Sequence, residues 1–145
     1  AKLEEGPESL TIHPSSLHGI RIDASDCPDL VPILSVAAAL AKGTTEIIHA
    51  ERLRLKECDR LKAMASELTK MGAHIEERPD GLIIRGVPML HGAGADSWND
   101  HRVAMSLAIA ATRSDGPVIL TGSESVQKSY PQFWQDYESL GGKIK

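Results

Sequence analysis

Three groups of cationic residues in this sequence stand where helices are predicted to begin. Lys56 and Arg60 flank one start, with Arg52 and Arg54 just upstream; His101 and Arg102 fall in the first turn of another, beside Asn99 and Asp100; Lys128 precedes the last. A helix N-terminus already carries partial positive charge, so each such cation is unfavourable by roughly 0.3–1 kcal/mol. An external anion, held by free backbone N–H groups and a cationic side chain, removes the conflict. The chemistry this pattern points to is the capture of a small molecule bearing carboxylate or phosphate.

A simpler account exists for any one cluster. Glu57 and Arg60 are i,i+3 neighbours, as are Lys56 and Asp59, so the charges can neutralise each other on a solvated face. Three clusters in repeat-related positions shift the balance towards an anion site. His101 by itself reads as structural, and Asp29 and Asp100 read as helix N-caps. Only a site argument could add a catalytic role to Asp29. The histidines lack metal-ligand spacing, and there is no GxxxxGK[ST] phosphate loop. Cys27 and Cys58 form no CxxC pair, so neither zinc nor a disulfide framework is expected, and reduced thiols suit a cytoplasmic home.

Secondary structure must bring these residues together. Leu10–His13 and Gly19–Asp23 read as short strands. A helix from Asp29 to about Ala41 tolerates Pro32 in its first turn and shows almost no polar face, so it should be buried on nearly all sides. Gly43 stops it, and Thr44–His49 reads as a strand. A second helix is expected from about Lys56 to Met71, with Leu61, Met64, Ala65 and Leu68 at helical spacing and Gly72 closing it. Strands follow at His74–Glu77 and Leu82–Arg85 around the turn Pro79-Asp80-Gly81. Asn99 or Asp100 opens a further apolar helix, Val118–Thr121 is a strand, and an amphipathic helix after Pro131 carries Phe133, Trp134, Tyr137 and Leu140. The second half thus restates the first: Pro79–Ile84 echoes Pro7–Ile12, and Lys128 follows Lys56, both at an offset of about 72 residues. Gly86–Gly94 joins the halves and reads as the loosest stretch. Helices filling the interior with sheets as walls is the arrangement implied.

At 145 residues with 41% apolar and 25% charged residues, the chain has enough material for one buried core. Aromatics are only 3%, so Ala, Leu, Ile and Val must fill that core. A formal charge of −4 with few rings lacks the basic, stacking face that nucleic-acid binding needs. No apolar run approaches the roughly 18 residues of a membrane helix, and no signal peptide is evident. Ala1–Gly6 begins without an initiator Met and reads as the interior of a longer or trimmed chain.

Taken together, Lys56-Glu57-Cys58-Asp59-Arg60-Leu61, Asn99-Asp100-His101-Arg102 and Lys128-Ser129-Tyr130-Pro131-Gln132-Phe133 strongly resemble the 5-enolpyruvylshikimate-3-phosphate synthase family, and Cys27-Pro28-Asp29 looks like its Pro-Asp motif. The resemblance runs from about Ser9 to Lys143. It implies an α/β (α+β) inside-out fold of βαβαββ repeats, with about two of three units of a C-terminal domain present, near residues 9–86 and 87–145. It implies transfer of the enolpyruvyl group of phosphoenolpyruvate to the 5-hydroxyl of shikimate 3-phosphate with release of phosphate, in the shikimate pathway to aromatic amino acids. No cofactor or metal is implied. The partners implied are the two substrates, the inhibitor glyphosate and a missing N-terminal domain, without which this piece is expected to be inactive. Neither nucleic acid nor membrane is expected as a partner.

By resemblance, Arg60 and Arg102 bind phosphoenolpyruvate, and Lys128 holds the phosphate and steadies its departure. Glu57 gives or takes a proton at the methylene carbon, Asp29 takes the proton of the 5-hydroxyl, and Lys56 faces the shikimate hydroxyls. Arg52 stands where some family members have Asn, and His101 neighbours Arg102; both are secondary candidates. Cys58 occupies a position where Ser or Thr is common. Rival readings are the sister UDP-N-acetylglucosamine enolpyruvyl transferase, a non-catalytic anion-binding module, and a structural or interaction fragment.

Overall fold

A computed structural model describes residues 2–145. In chain order the elements are β1 (Lys2–Glu5), β2 (Leu10–His13), β3 (Arg21–Asp23), α1 (Val31–Ala39), β4 (Thr44–Ile48), α2 (Arg60–Lys70), β5 (His74–Arg78), β6 (Gly81–Arg85), β7 (Gly94–Asp96), α3 (His101–Ala111), β8 (Ile119–Thr121) and α4 (Phe133–Ser139). Short 3-10 turns occupy Pro28–Leu30, Glu51–Leu55 and Ser123–Lys128. The sheets are an antiparallel β1–β2 hairpin, a four-stranded sheet in the order β3-β4-β6-β5, and a parallel β7–β8 pair.

Alternation along the strands decides what faces inward. In β4, Thr45 and Ile47 are buried; in β6, Leu82 and Ile84 are. The intervening Glu46 and Ile83, which are paired across the two strands, look outward. The helices supply most of the interior: Val31 and Val36 of α1, Leu61, Met64 and Leu68 of α2, and Val103 and Leu107 of α3 form one buried cluster. Each fully buried side chain of this size contributes about 1.5–3 kcal/mol. The expected α/β arrangement, helices inside and sheets outside, is therefore present. A smaller cluster gathers Phe133 and Val126 against Ala104 and Ala108 of α3. The repeat appears in element order: β3, α1, β4, a 3-10 turn and α2 are followed by β7, α3, β8, a 3-10 turn and α4.

Several boundaries differ from those read in the sequence. The helix expected from Lys56 begins at Arg60, because the Asp59 side chain accepts the Lys62 N–H and caps it there. Lys56 is extended and lies outside any helix. The helix expected from Asp29 is a 3-10 turn followed by α1 from Val31 and ends at Ala39; Asp29 caps nothing, so its carboxylate is free for other contacts. Ile33 on α1 is 38% exposed, so that helix keeps one open side. Leu140 is exposed, not core. Gly86–Gly94 is well anchored: Gly86 and Val87 donate backbone N–H to Gly43 and Ala39, and His91 to Met71. A Cβ on Gly86 would overlap the Ala41 carbonyl oxygen, so only glycine allows this close approach.

Candidate active site

Arg60 is the centre of the site. It opens α2, is 1% exposed, and spends every guanidinium nitrogen on a carboxylate. Nε donates to Asp100 Oδ2 at 2.8 Å, Nη1 to Asp29 Oδ1 at 2.9 Å, and Nη2 to Glu57 Oε2 at 2.7 Å. These acceptors come from three separate places: the N-cap of α3, the 3-10 turn before α1, and the extended segment before α2. A rigid, permanently charged fork is suited to joining them.

Asp100 is completely buried and does two jobs. Its Oδ1 accepts the N–H of Arg102 at 2.8 Å and of Val103 at 3.2 Å, which caps α3, while Oδ2 takes Arg60. Asp29 is a second hub, on the open side. Lys56 Nζ lies 3.4 Å from its Oδ1, and Arg102 Nη2 lies 3.3 Å from its Oδ2. Burial pushes the Asp29 carboxyl up, but the charges of Arg102, Lys56 and Arg60 outweigh that and leave it lowered. Burial likewise works against the charge on Arg60, and the bond to Asp100 more than restores it. Cys58, beside Asp100, is pushed up to about 12 by burial and by that carboxylate's charge, so it is a neutral thiol.

The sequence-predicted residues thus separate into those the fold assembles and those it does not. Lys56, Glu57, Arg60, Asp29 and Arg102 form one ion-pair network, with His101 at its margin, its Nδ1 3.9 Å from Glu57 Oε1. That His101 nitrogen is buried and has no hydrogen-bond partner among the described residues. Lys128 contacts the network's neighbour: its Nζ donates to the backbone carbonyl of Asn99 and, at 2.9 Å, to Asn99 Oδ1. Arg52 is exposed on its 3-10 turn and takes no part in the ion pairs. Arg54 is a bracket instead, donating to Asp59, Glu77 and the carbonyls of Arg78 and Pro79.

The helix starts also correct the electrostatic argument. Asp59 and Asp100 cap α2 and α3, and three carboxylates surround Arg60, so the fold itself neutralises the cations there without an external anion. A bound anion would compete with Asp29 and Glu57, which are 43% and 41% exposed, for Arg60, Lys56 and Arg102. The site is therefore a mixed cage: the buried Arg60 at its floor, with Asp29, Glu57, Lys56 and Arg102, all partly exposed, at its mouth. Two open depressions lined in part by Ile83 of the four-stranded sheet include none of these residues.

The family model for EPSP synthase (3-phosphoshikimate 1-carboxyvinyltransferase) matches residues 1–137. The chain belongs to the EPSP synthase family. Every residue of the network lies within that span. The chain is 58% identical over 144 residues to the 3-phosphoshikimate 1-carboxyvinyltransferase of Clostridium novyi (strain NT), covering 99% of this chain and 33% of that protein. It is 50% identical over 143 residues to that of Clostridium kluyveri, covering 99% and 34%. A solved structure of EPSP synthase from Acinetobacter baumannii superposes with a TM-score of 0.82 at 35% identity, over 90% of this chain and 32% of that one. The inside-out α/β fold of EPSP synthases is thus the fold of this chain. The chain spans about a third of the length of the curated relatives it matches.

Asp100 and Asn99 were underrated in the sequence, one as a cap and the other as its alternative. The Asn-Asp pair beside Arg102 was visible; the partners, Arg60 and Lys128, are distant in sequence and only folding brings them in. No helix is long and apolar enough to cross a membrane among the described residues.

Proposed function

We propose that this chain carries the catalytic half of an enolpyruvyl transfer site, using phosphoenolpyruvate and shikimate 3-phosphate, with the rest of the site supplied by the remaining two-thirds of a full-length family member. The observation that carries the reading is the mixed cage: Arg60 clasped by Asp29, Glu57 and Asp100, with Lys56 and Arg102 closing on Asp29. Fixed cations suit a tetrahedral adduct that bears both phosphate and carboxylate on one carbon.

In this reading the phosphoenolpyruvate anion displaces Glu57 from Arg60 and Asp29 from Arg60 and Arg102, while Asp100 keeps Arg60 in place. Asp29, released, accepts the proton of the 5-hydroxyl as its oxygen bonds to C2, while Glu57 delivers a proton to C3. Collapse of the adduct breaks the C2–O bond to phosphate and returns a C3 proton to Glu57; the proton held by Asp29 leaves with the phosphate, whose departure Lys128 steadies. Lys56 orients the shikimate hydroxyls. Glyphosate is expected on the same cations. A cytoplasmic home belongs to the same reading, supported by the unpaired Cys27 and Cys58. Residues 9–86 and 87–145 are the two repeat units we assign to the domain.

The test is a chimera in which this chain replaces the matching third of the Clostridium novyi relative. Phosphate release should require both substrates, and Glu57→Gln should lower turnover about 100-fold or more. A folded chimera that binds both substrates but releases no phosphate, or that ignores Glu57→Gln, would sink the reading in favour of simple anion binding.

A further inference from the structure

Glu67 is a buried carboxylate that the reaction does not use. It lies on α2 seven positions after Arg60, two turns along, so both point from the same face of the helix towards the β7–α3 connection. Arg60 takes Asp100 from that connection; Glu67, 1% exposed, takes its earlier part. Its Oε2 accepts the Asp96 N–H at 2.9 Å, and its Oε1 accepts the Trp98 indole N–H at 2.9 Å. Lys70, reaching in from the surface, bonds both oxygens.

The segment held this way is strained. Trp98 and Asn99 both adopt φ of 54°, a left-handed region that Asn enters readily but that a bulky Trp rarely enters without outside support. Asp96 accepts the Trp98 N–H, Ser97 Oγ accepts the Asn99 N–H, and Glu67 fixes the indole and the strand end. The product of this winding is the placement of Asn99, which presents two acceptors to Lys128, and of Asp100, which meets Arg60.

We propose that Glu67 is a positioning residue, holding residues 96–100 in the one geometry that sets Lys128 against Asn99 and Asp100 against Arg60. The inference rests on the proposed transferase site for its catalytic meaning, but its structural content can be read without substrate. Glu67→Gln keeps the shape and replaces one acceptor oxygen with a donor, which must then face the Asp96 or the Trp98 N–H. Lys70→Met removes the outer ion pair and leaves both loop bonds.

Heteronuclear NMR on the 145-residue chain reports this directly, because Trp98 and Trp134 are its only indoles. In Glu67→Gln the Trp98 indole, the Asn99 amide and the Lys128 side-chain signals should move or broaden, with the amides of α1 and of the four-stranded sheet unchanged; in Lys70→Met the Trp98, Asn99 and Lys128 signals should stay. In the chimera, Glu67→Gln should raise KM for phosphoenolpyruvate about tenfold while KM for shikimate 3-phosphate holds. Unmoved Trp98, Asn99 and Lys128 signals in a folded Glu67→Gln chain would overturn the proposal, as would moved signals with unchanged kinetics. A wild-type chimera without turnover counts against the transferase reading alone and leaves the loop signals to decide this one.

Discussion

At the residue scale the decisive object is one buried guanidinium shared among three carboxylates. Ion pairs of this kind are not automatically stabilising, since desolvation offsets much of the attraction. What they do is make removal of a buried partner costly. Asp100 is the strongest case, because it is fully buried and serves α3 as well as Arg60. Asp100→Asn keeps an oxygen for the cap and loses the charge that faces Arg60. We expect it to destabilise the chain by about 2 kcal/mol or more, the loss typical of a hydrogen bond to a charged group. Asp29→Asn, at a half-exposed position, should cost little stability, since its attractions are screened by solvent. Paired urea unfolding curves check the contrast; equal midpoints for both variants would contradict it. In the proposed reaction Asp29 instead bears the functional consequence, because its open position would let an incoming anion displace it.

At the element scale, helices and strands with a clear apolar period were legible in the sequence, and the segments that carry chemistry were not. Leu61, Met64 and Leu68 announce α2 plainly, yet Lys56 and Glu57 look like its first turn because nothing in their residue types forbids a helix there. Asp59 decides the start by capping, and Arg54 holds the preceding segment away by bonding Asp59, Glu77 and two carbonyls of the β5–β6 turn. β1 and β7 were missed because Lys-Leu-Glu-Glu and Gly-Ala-Asp have no strand signature; they exist through pairing with β2 and β8. Contacts such as Arg60 with Asp100 join residues too distant in sequence to leave a local pattern. Arg54 offers the test at this scale. Arg54→Met should loosen the 51–59 segment, so that amide exchange at Leu55–Glu57 quickens about tenfold or more while α2 from Leu61 stays protected. Unchanged exchange across 51–59 would mean the segment is held by Leu53 burial and not by the bracket.

At the scale of the whole molecule, the repeat identifies two surfaces that fit each other. The β1–β2 hairpin has the register of β5–β6: Glu5 faces Leu10 as Glu77 faces Leu82, and Leu3 faces Ile12 as Ile75 faces Ile84. Leu82 and Ile84 are fully buried, because β6 pairs with β4 and lies over the helices. Their counterparts Leu10 and Ile12 are 55% and 66% exposed, since β2 pairs with β1 alone. Conversely, β8 corresponds to β4 but has no strand on its second side among the described residues; Ile119, at the outward position that Glu46 holds in β4, is 70% exposed. Placed on β8 in the β4–β6 register, β2 of another copy would set Leu10 opposite Leu120 and Thr11 opposite Ile119. Such a contact is heterologous, so it extends into chains unless the rotation closes a ring. We therefore expect the mass of these 145 residues, followed by light scattering, to rise with concentration. Leu10→Asp with Ile12→Asp should weaken that association more than tenfold, since each buried side chain of this size contributes about 1.5–3 kcal/mol. Ile119 already gives its N–H to Ala93, so the open edge of β8 offers the N–H of Leu120; Leu120→Pro, which removes that donor, should do the same from the other surface without touching the hairpin. A monomer at every concentration would show that the two surfaces, though complementary in register, are not enough to hold copies together; loss of association in the double variant but not in Leu120→Pro would place the hairpin on another surface than β8.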